Sequence, residues 1–133
     1  MPFSKHHTFA LAASLRFDFF VSGMVLSDAA RIAELNDHAR QTFTDCRVCI
    51  TPGIQALGDE MLHTTLLAVQ QYDSFTPDND PYEEHDFGKI EVGEHVIFWK
   101  IDYYDVDLSM HSPDPSDPTV TARVLTVLLA NEY

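Results

Sequence analysis

The feature that most constrains this fold is a pair of apolar runs that flank the dipeptide Gly93-Glu94. Glycine at the first central position of a two-residue loop is typical of a type II′ turn. Residues 87–92 and 95–104 are therefore predicted to pair as an antiparallel hairpin. Opposed residues share a face, so pairing Val92 with His95 creates one apolar face, with Trp99 over Gly88. That face carries Ile90, Ile97, Trp99, Ile101 and Tyr103.

Helices are predicted in the chain before and after the hairpin. Ser27 or Asp28 can cap a first helix, and a second begins near Asp59 and ends near Tyr72. A capping acid followed by proline at Asp117-Pro118 predicts a third. The expected buried positions are Ile32, Leu35, Ala39 and Phe43 in the first helix, Leu62, Leu66 and Val69 in the second, and Val120, Val124, Val127 and Leu128 in the third.

These elements predict one small α+β domain. A strand at residues 47–51 completes the order α-β-α-β-β-α, with the hairpin central and the helices on one sheet face. Residues 24–133 are assigned to the domain and residues 1–23 to a loosely ordered N-terminal extension. The apolar run at residues 8–15 is too short to cross a bilayer, because Arg16 and Asp18 interrupt it. No membrane association and cytoplasmic residence are therefore expected.

Charge restricts the functional classes. The chain carries a formal net charge of -13. Residues 73–117 contain thirteen Asp and Glu residues but only two basic residues, Lys89 and Lys100, which gives a local net charge of -11. Direct nucleic-acid binding is disfavoured, because it depends on Lys and Arg that neutralise phosphates. A basic protein surface or a metal cation is the expected charged partner, and a merely solvated acidic face is the alternative.

Cys46 and Cys49 have a CxxC spacing, but the local pattern disfavours redox or zinc chemistry. The pair is placed within the strand predicted at residues 47–51. Residues three apart on a strand point to opposite faces, and their Cα atoms are about 10 Å apart, which is too far for a disulfide. A zinc site would need two further ligands, and no second CxxC or HxxxH occurs. Two free thiols are predicted.

Acidic residues gather at the two ends of the hairpin. Residues 74–86 read as a long loop, and the strand that follows them lies beside the strand that ends at Tyr104. We therefore expect Asp86 near Asp102, with His85 beside them, an arrangement suited to a divalent cation or an acid–base pair. The candidate binding residues are Asp78, Asp80, Glu83, Glu84, His85, Asp86, Asp102, Tyr104 and Asp105.

The sequence contains none of the familiar nucleophile, zinc-protease or phosphate-loop motifs. The run that begins at Asp78 starts like a calcium loop, but Glu83 stands where that loop needs glycine. No cofactor is expected. A divalent cation is the alternative, and its candidate ligands are Asp78, Asp80, His85, Asp86 and Asp102.

Several motifs resemble an uncharacterised bacterial family, domain of unknown function 3768. They are TPDNDPYEEHDFG at 76–88, FWKIDYYD at 98–105, SPDPSDP at 112–118 and RVLTVLLANEY at 123–133, with LND at 35–37 and RVCITPG at 47–53. The resemblance covers roughly residues 32 to 133. It implies no catalytic residue, since the family has no established activity. It implies an association with plasmids and other mobile elements, and hence a role in element maintenance or evasion of host defence.

Two functional hypotheses follow. In the first, the acidic face docks on a basic protein surface, and mimicry of nucleic-acid phosphates is one form of this hypothesis. In the second, the Asp, Glu and His cluster holds a divalent metal, in a metal-binding or metal-dependent hydrolytic domain. The absence of a nucleophile motif favours the first and leans against an enzyme. The oligomeric state cannot be read from the sequence.

Overall fold

The computed structural model describes residues 27–133. The sequence-predicted extension at residues 1–23 and its boundary at residue 24 lie outside this part. The regular elements are α1 Asp28–Thr42, β1 Arg47–Ile50, α2 Pro52–Gln55, α3 Asp59–Gln70, β2 Phe87–Val92, β3 His95–Tyr104 and β4 Ala122–Leu129, with 3-10 turns at Pro118–Val120 and Ala130–Glu132.

The strands form one mixed sheet in the order β1-β4-β3-β2. β1 is parallel to β4, whereas β4–β3 and β3–β2 are antiparallel. The predicted hairpin register is confirmed, because Val92 pairs with His95 and Gly88 pairs with Trp99. Gly93 has a φ of 62°, as the first central residue of a type II′ turn requires.

The hydrophobic core lies between the helices and one face of the sheet. Ser27 caps α1 as expected, since its hydroxyl accepts a hydrogen bond from the Ala30 amide at 3.1 Å. Because the core residues of the helices pack on one sheet face, the α+β class and the placement of helices on that face are confirmed. The buried core comprises Ile32, Ile54 and Val69 from the helices and Val92, Ile97, Trp99, Ile101, Tyr103, Leu125 and Val127 from the sheet.

Apart from the additional four-residue helix α2, the predicted order holds as far as the hairpin, but the last helix is wrong. Residues 122–129 form strand β4, which pairs with both β1 and β3. The capping signal was real but local: Asp117 accepts from the Thr119 amide at 2.9 Å and caps only the 3-10 turn. β-Branched residues such as Val124 and Thr126 then favour the extended chain, where two neighbouring strands pair with it.

The other sheet face carries both polar and aromatic side chains. Lys100 and Asp102 form an ion pair on it, with Nζ and Oδ2 2.6 Å apart. The rings of Phe87, Phe98 and Tyr133 pack together nearby. In residues 27–133, no helix combines the length and apolar character needed to cross a bilayer.

The two cysteines are free thiols. Cys46 lies just before β1, and burial followed by the charge of Asp45 raises the pKa of its thiol. A raised pKa lowers the thiolate fraction, so Cys46 is a poor nucleophile. Cys49 is exposed on β1.

Candidate functional site

The first loop, residues 71–86, turns two of its acidic residues and one histidine inward. Asp80 is 1% exposed, His85 8% and Asp86 5%. Glu83 and His85 adopt positive φ values of 61° and 58°, which are uncommon for residues other than glycine. These two turns in the backbone bring His85 and its neighbours against α1.

His85 lies between two carboxylates. Its Nδ1 is 2.7 Å from Oδ1 of Asp37 on α1, and its Nε2 is 3.9 Å from Oδ2 of Asp80. The ring stacks on Phe75 at a centroid distance of 3.9 Å and an interplanar angle of 6°. The imidazole is therefore fixed by charge on its edges and by an aromatic ring on its face.

Arg40 connects α1 to α3 and to the same carboxylate. Its guanidinium donates to the carbonyls of Val69 and Gln70, at 3.2 and 3.1 Å, where α3 ends. It also donates to Asp37 Oδ1 at 3.0 Å. A cation is favourable at the negative C-terminal end of a helix, so Arg40 stabilises α3 while it orients Asp37.

Asn36 joins the first loop to the sheet. Its side-chain amide donates to the Glu84 carbonyl at 2.9 Å and to the Tyr103 hydroxyl at 2.8 Å. Its oxygen accepts from Nε of Arg123 at 2.7 Å. Arg123 also donates to the Pro115 carbonyl in the second loop, residues 105–117. One buried amide therefore connects both loops.

The environment of Asp86 is unfavourable for a negative charge. Burial, followed by the charge of Glu84, raises the pKa of Asp86 to about 9. Burial and then the charge of Asp86 also raise the pKa of Tyr103. Asp86 is therefore a neutral acid at neutral pH, and Tyr103 keeps its proton, which it donates to Glu84 Oε1 at 3.1 Å.

We call this set the buried polar cluster. Five of its members were not among the sequence candidates. A signal existed on α1, where Asn36 and Arg40 follow Ile32 at a spacing of four and so occupy core positions. Arg123 was hidden because β4 was read as a helix. The members are Asn36, Asp37, Arg40, Asp80, Glu84, His85, Asp86, Tyr103 and Arg123.

The other sequence candidates lie outside this cluster. Asp78 and Glu83 are exposed on the first loop, and Tyr104 is exposed at the end of β3. Asp86 and Asp102 were expected to lie near one another. They are close enough for the charge of Asp102 to contribute to the raised pKa of Asp86. The side chains of Asp86 and Asp102 nevertheless point to opposite sheet faces. The Asp86 carbonyl accepts a hydrogen bond from the Ile101 amide, which places Asp86 opposite that core residue, whereas Asp102 is the next residue along β3.

The five proposed metal ligands are not brought together. Asp80 and His85 are neighbours, but Asp78 is exposed and Asp102 faces away with Lys100. Throughout residues 27–133, no group of three or more His, Cys, Asp or Glu residues has a geometry that could hold a metal ion. The described part of the chain thus offers the divalent-cation hypothesis no assembled site.

The second loop begins with a tight turn that closes on Asp105. The Asp105 carboxylate accepts from the Ser109 amide at 3.0 Å, the Ser109 hydroxyl at 3.3 Å and the Met110 amide at 3.4 Å. These hydrogen bonds, led by the Ser109 amide, lower the pKa of Asp105. Asp105 therefore has a structural role in the turn.

Substituting Asn36 with leucine is expected to lower the free energy of unfolding by about 3 kcal/mol, since buried partners lose their hydrogen bonds. The affected groups are the Glu84 carbonyl, the Tyr103 hydroxyl and Arg123 Nε. Urea unfolding measures the change. Gln41→Leu is the control, because Gln41 is an exposed amide on the same helix. Equal losses of unfolding free energy in both variants would show that the hydrogen bonds of Asn36 add no stability.

The family model described as "Protein of unknown function (DUF3768)" matches residues 50–132. This range includes both loops and the strands β2, β3 and β4, and the sequence resemblance to this family is confirmed over these residues. No curated protein and no solved structure gives a significant match.

Proposed function

Since the chain belongs to the family of proteins of unknown function DUF3768, whose name specifies no activity, we propose its function from the structure. The protein is a protein-binding module whose two loops dock on a basic partner. The carrying observation is that the first and second loops contain ten acidic residues and neither lysine nor arginine. A partner must supply the cations that these loops lack.

The structure supports this proposal by dividing the acids into two groups. Asp80 and Asp86 are turned inward, and Asp80 accepts a hydrogen bond from the His85 amide at 3.4 Å within the first loop. Most of the remainder, including Asp78, Glu83 and Asp107, are exposed. Exposed like charges repel one another only weakly in water, so the loops tolerate them until a cationic surface arrives.

Preorganisation also supports docking. Asn36 and Arg123 link Glu84 in the first loop to Pro115 in the second through buried hydrogen bonds. A loop that is already ordered loses little conformational entropy on binding. The buried polar cluster therefore serves as the rigid support, and the exposed loop surface is the binding site.

Photo-crosslinking followed by a binding measurement tests the proposal. Tyr82 is 61% exposed in the first loop, so Tyr82→p-benzoylphenylalanine places a crosslinker at the surface with little change in shape. The captured protein is purified and titrated against the full chain at about 50 and about 300 mM salt. Because the Debye length falls from about 14 to about 6 Å, we expect affinity to fall about tenfold or more.

A charge-matched pair of variants locates the effect. Asp78→Asn with Asp107→Asn removes two exposed loop charges, whereas Glu91→Gln with Glu94→Gln removes two exposed charges outside the loops. We expect the first variant to weaken binding and reduce its salt dependence, and the second to change both much less. Capture of no basic protein, affinity that is independent of salt, or equal effects of the two variants contradict the proposal.

The form of the partner follows from the same charge argument. A DNA-handling protein presents a basic groove that tracks phosphates, and an acidic loop surface can occupy such a groove. Competition of DNA with the full chain for the captured partner distinguishes nucleic-acid mimicry from docking elsewhere on the partner. The implied association with mobile elements is compatible with such a role.

A further inference from the structure

The turn at residues 105–110 is held in one conformation by its own backbone and by Asp105. The Asp105 amide donates to the Met110 carbonyl at 2.8 Å, and the Leu108 amide donates to the Asp105 carbonyl at 2.9 Å. Leu108 has a φ of 61°, and a bridge between Tyr104 and His111 closes the base of the turn. The turn is therefore a built projection from the end of β3.

This projection exposes three apolar side chains within five residues. Val106 is 61% exposed, Leu108 38% and Met110 69%. Single exposed apolar residues are ordinary, but a group of them on an ordered turn is typical of an interaction site. Methionine adapts its shape to a binding pocket with little strain, which suits a contact residue.

Charge complementarity identifies the partner. Asp105 precedes Val106, Asp107 lies between Val106 and Leu108, and the second loop contains neither lysine nor arginine. We propose that Val106, Leu108 and Met110 insert into an apolar pocket rimmed by Lys and Arg on a basic protein. This inference rests on the proposed function and names the anchor within it. A second copy of the chain is the wrong occupant, since it brings a charge of -13.

Crosslinking from the anchor itself gives the first test. Met110→p-benzoylphenylalanine is introduced into the full chain, and Leu67→p-benzoylphenylalanine is the control at a 43% exposed position on α3. We expect a crosslink from position 110 to an apolar segment of a basic protein, with Lys or Arg nearby, and none to that protein from position 67. No crosslink from position 110, or one to a second copy, overturns the inference.

Affinity gives the second test. With the purified captured partner, Met110→Ser is expected to weaken binding about tenfold or more, as for a truncated interface anchor, and Leu67→Ser by less than about twofold. The loss should persist at high salt, because it comes from apolar contact. Unchanged affinity in Met110→Ser overturns the anchor. If the partner captured through Tyr82 still binds with salt dependence, the proposed function stands without it.

Discussion

Replacing Gly88 with valine is expected to destabilise the fold by about 3 kcal/mol or more, which is severe for one residue in a strand. A Cβ at this position would lie 2.6 Å from Cε2 of Trp99 and 2.8 Å from Cζ of Tyr72. Two rings therefore occupy the space that a side chain would need. Trp99 is fully buried in the core, so it has no room to withdraw.

The expected loss of stability is opposite to the effect that strand propensity predicts for this substitution. Valine favours strands more than glycine does, so propensity alone predicts that Gly88→Val stabilises β2. Lys89→Val is the matched control, because Lys89 is exposed on the same strand. Thermal and urea unfolding should show a large loss for Gly88→Val and little change for Lys89→Val. Similar stabilities for the two variants would mean that the rings do not block position 88.

The hairpin could be predicted from sequence because its signals are local. Gly93 marks the turn, and the alternation from Ile97 to Tyr103 assigns one face to the core. Neither signal needs information from distant parts of the chain. The same register predicted the packing of Trp99 over Gly88, which the structure confirms.

β4 could not be recognised because it lies inside the sheet. It pairs with β1 on one side and β3 on the other, and Leu125, Val127 and Leu128 are all buried. A strand that buries residues on both faces reads as a continuous apolar run. Such a run cannot be told from a buried helix by periodicity. The cap at Asp117 then favoured the wrong alternative.

The acidic candidates were located correctly along the chain, but their burial could not be predicted. Asp37 and His85 meet across 48 residues, and Asn36 and Arg123 meet across 87. Only the tertiary structure shows that these side chains are hydrogen-bonding partners. The acid-rich middle of the chain therefore combines two roles that one charge pattern cannot separate. Asp80 and Asp86 are buried, while Asp78 and Asp107 remain at the surface.

The second large effect concerns Asp86 and pH. Asp86→Asn is expected to stabilise the protein at neutral and alkaline pH. The wild-type folded state keeps a proton on Asp86 up to a pKa of about 9, whereas the unfolded chain releases it near the ordinary value of 3.8. Between these values the unfolded state binds fewer protons, so rising pH favours unfolding by about 1.4 kcal/mol per unit from this group.

The stability that this group contributes is thus fully present below about pH 4 and is lost as pH rises towards 9. Asparagine resembles the neutral acid in shape and does not titrate. The advantage of Asp86→Asn over wild type should therefore grow by roughly 4 kcal/mol between about pH 5 and about pH 8. Urea unfolding of both proteins at intermediate pH values measures this difference, and other titrating groups largely cancel in it.

Asp78→Asn supplies the control, since it makes the same chemical change at an exposed position of the same loop. Its difference from wild type should stay nearly constant over that pH range. A constant difference for Asp86→Asn as well would mean that Asp86 is ionised in the folded protein. Burial in the polar cluster would then not exclude its charge. A slope confined to Asp86 instead identifies a buried neutral carboxyl at the end of the first loop.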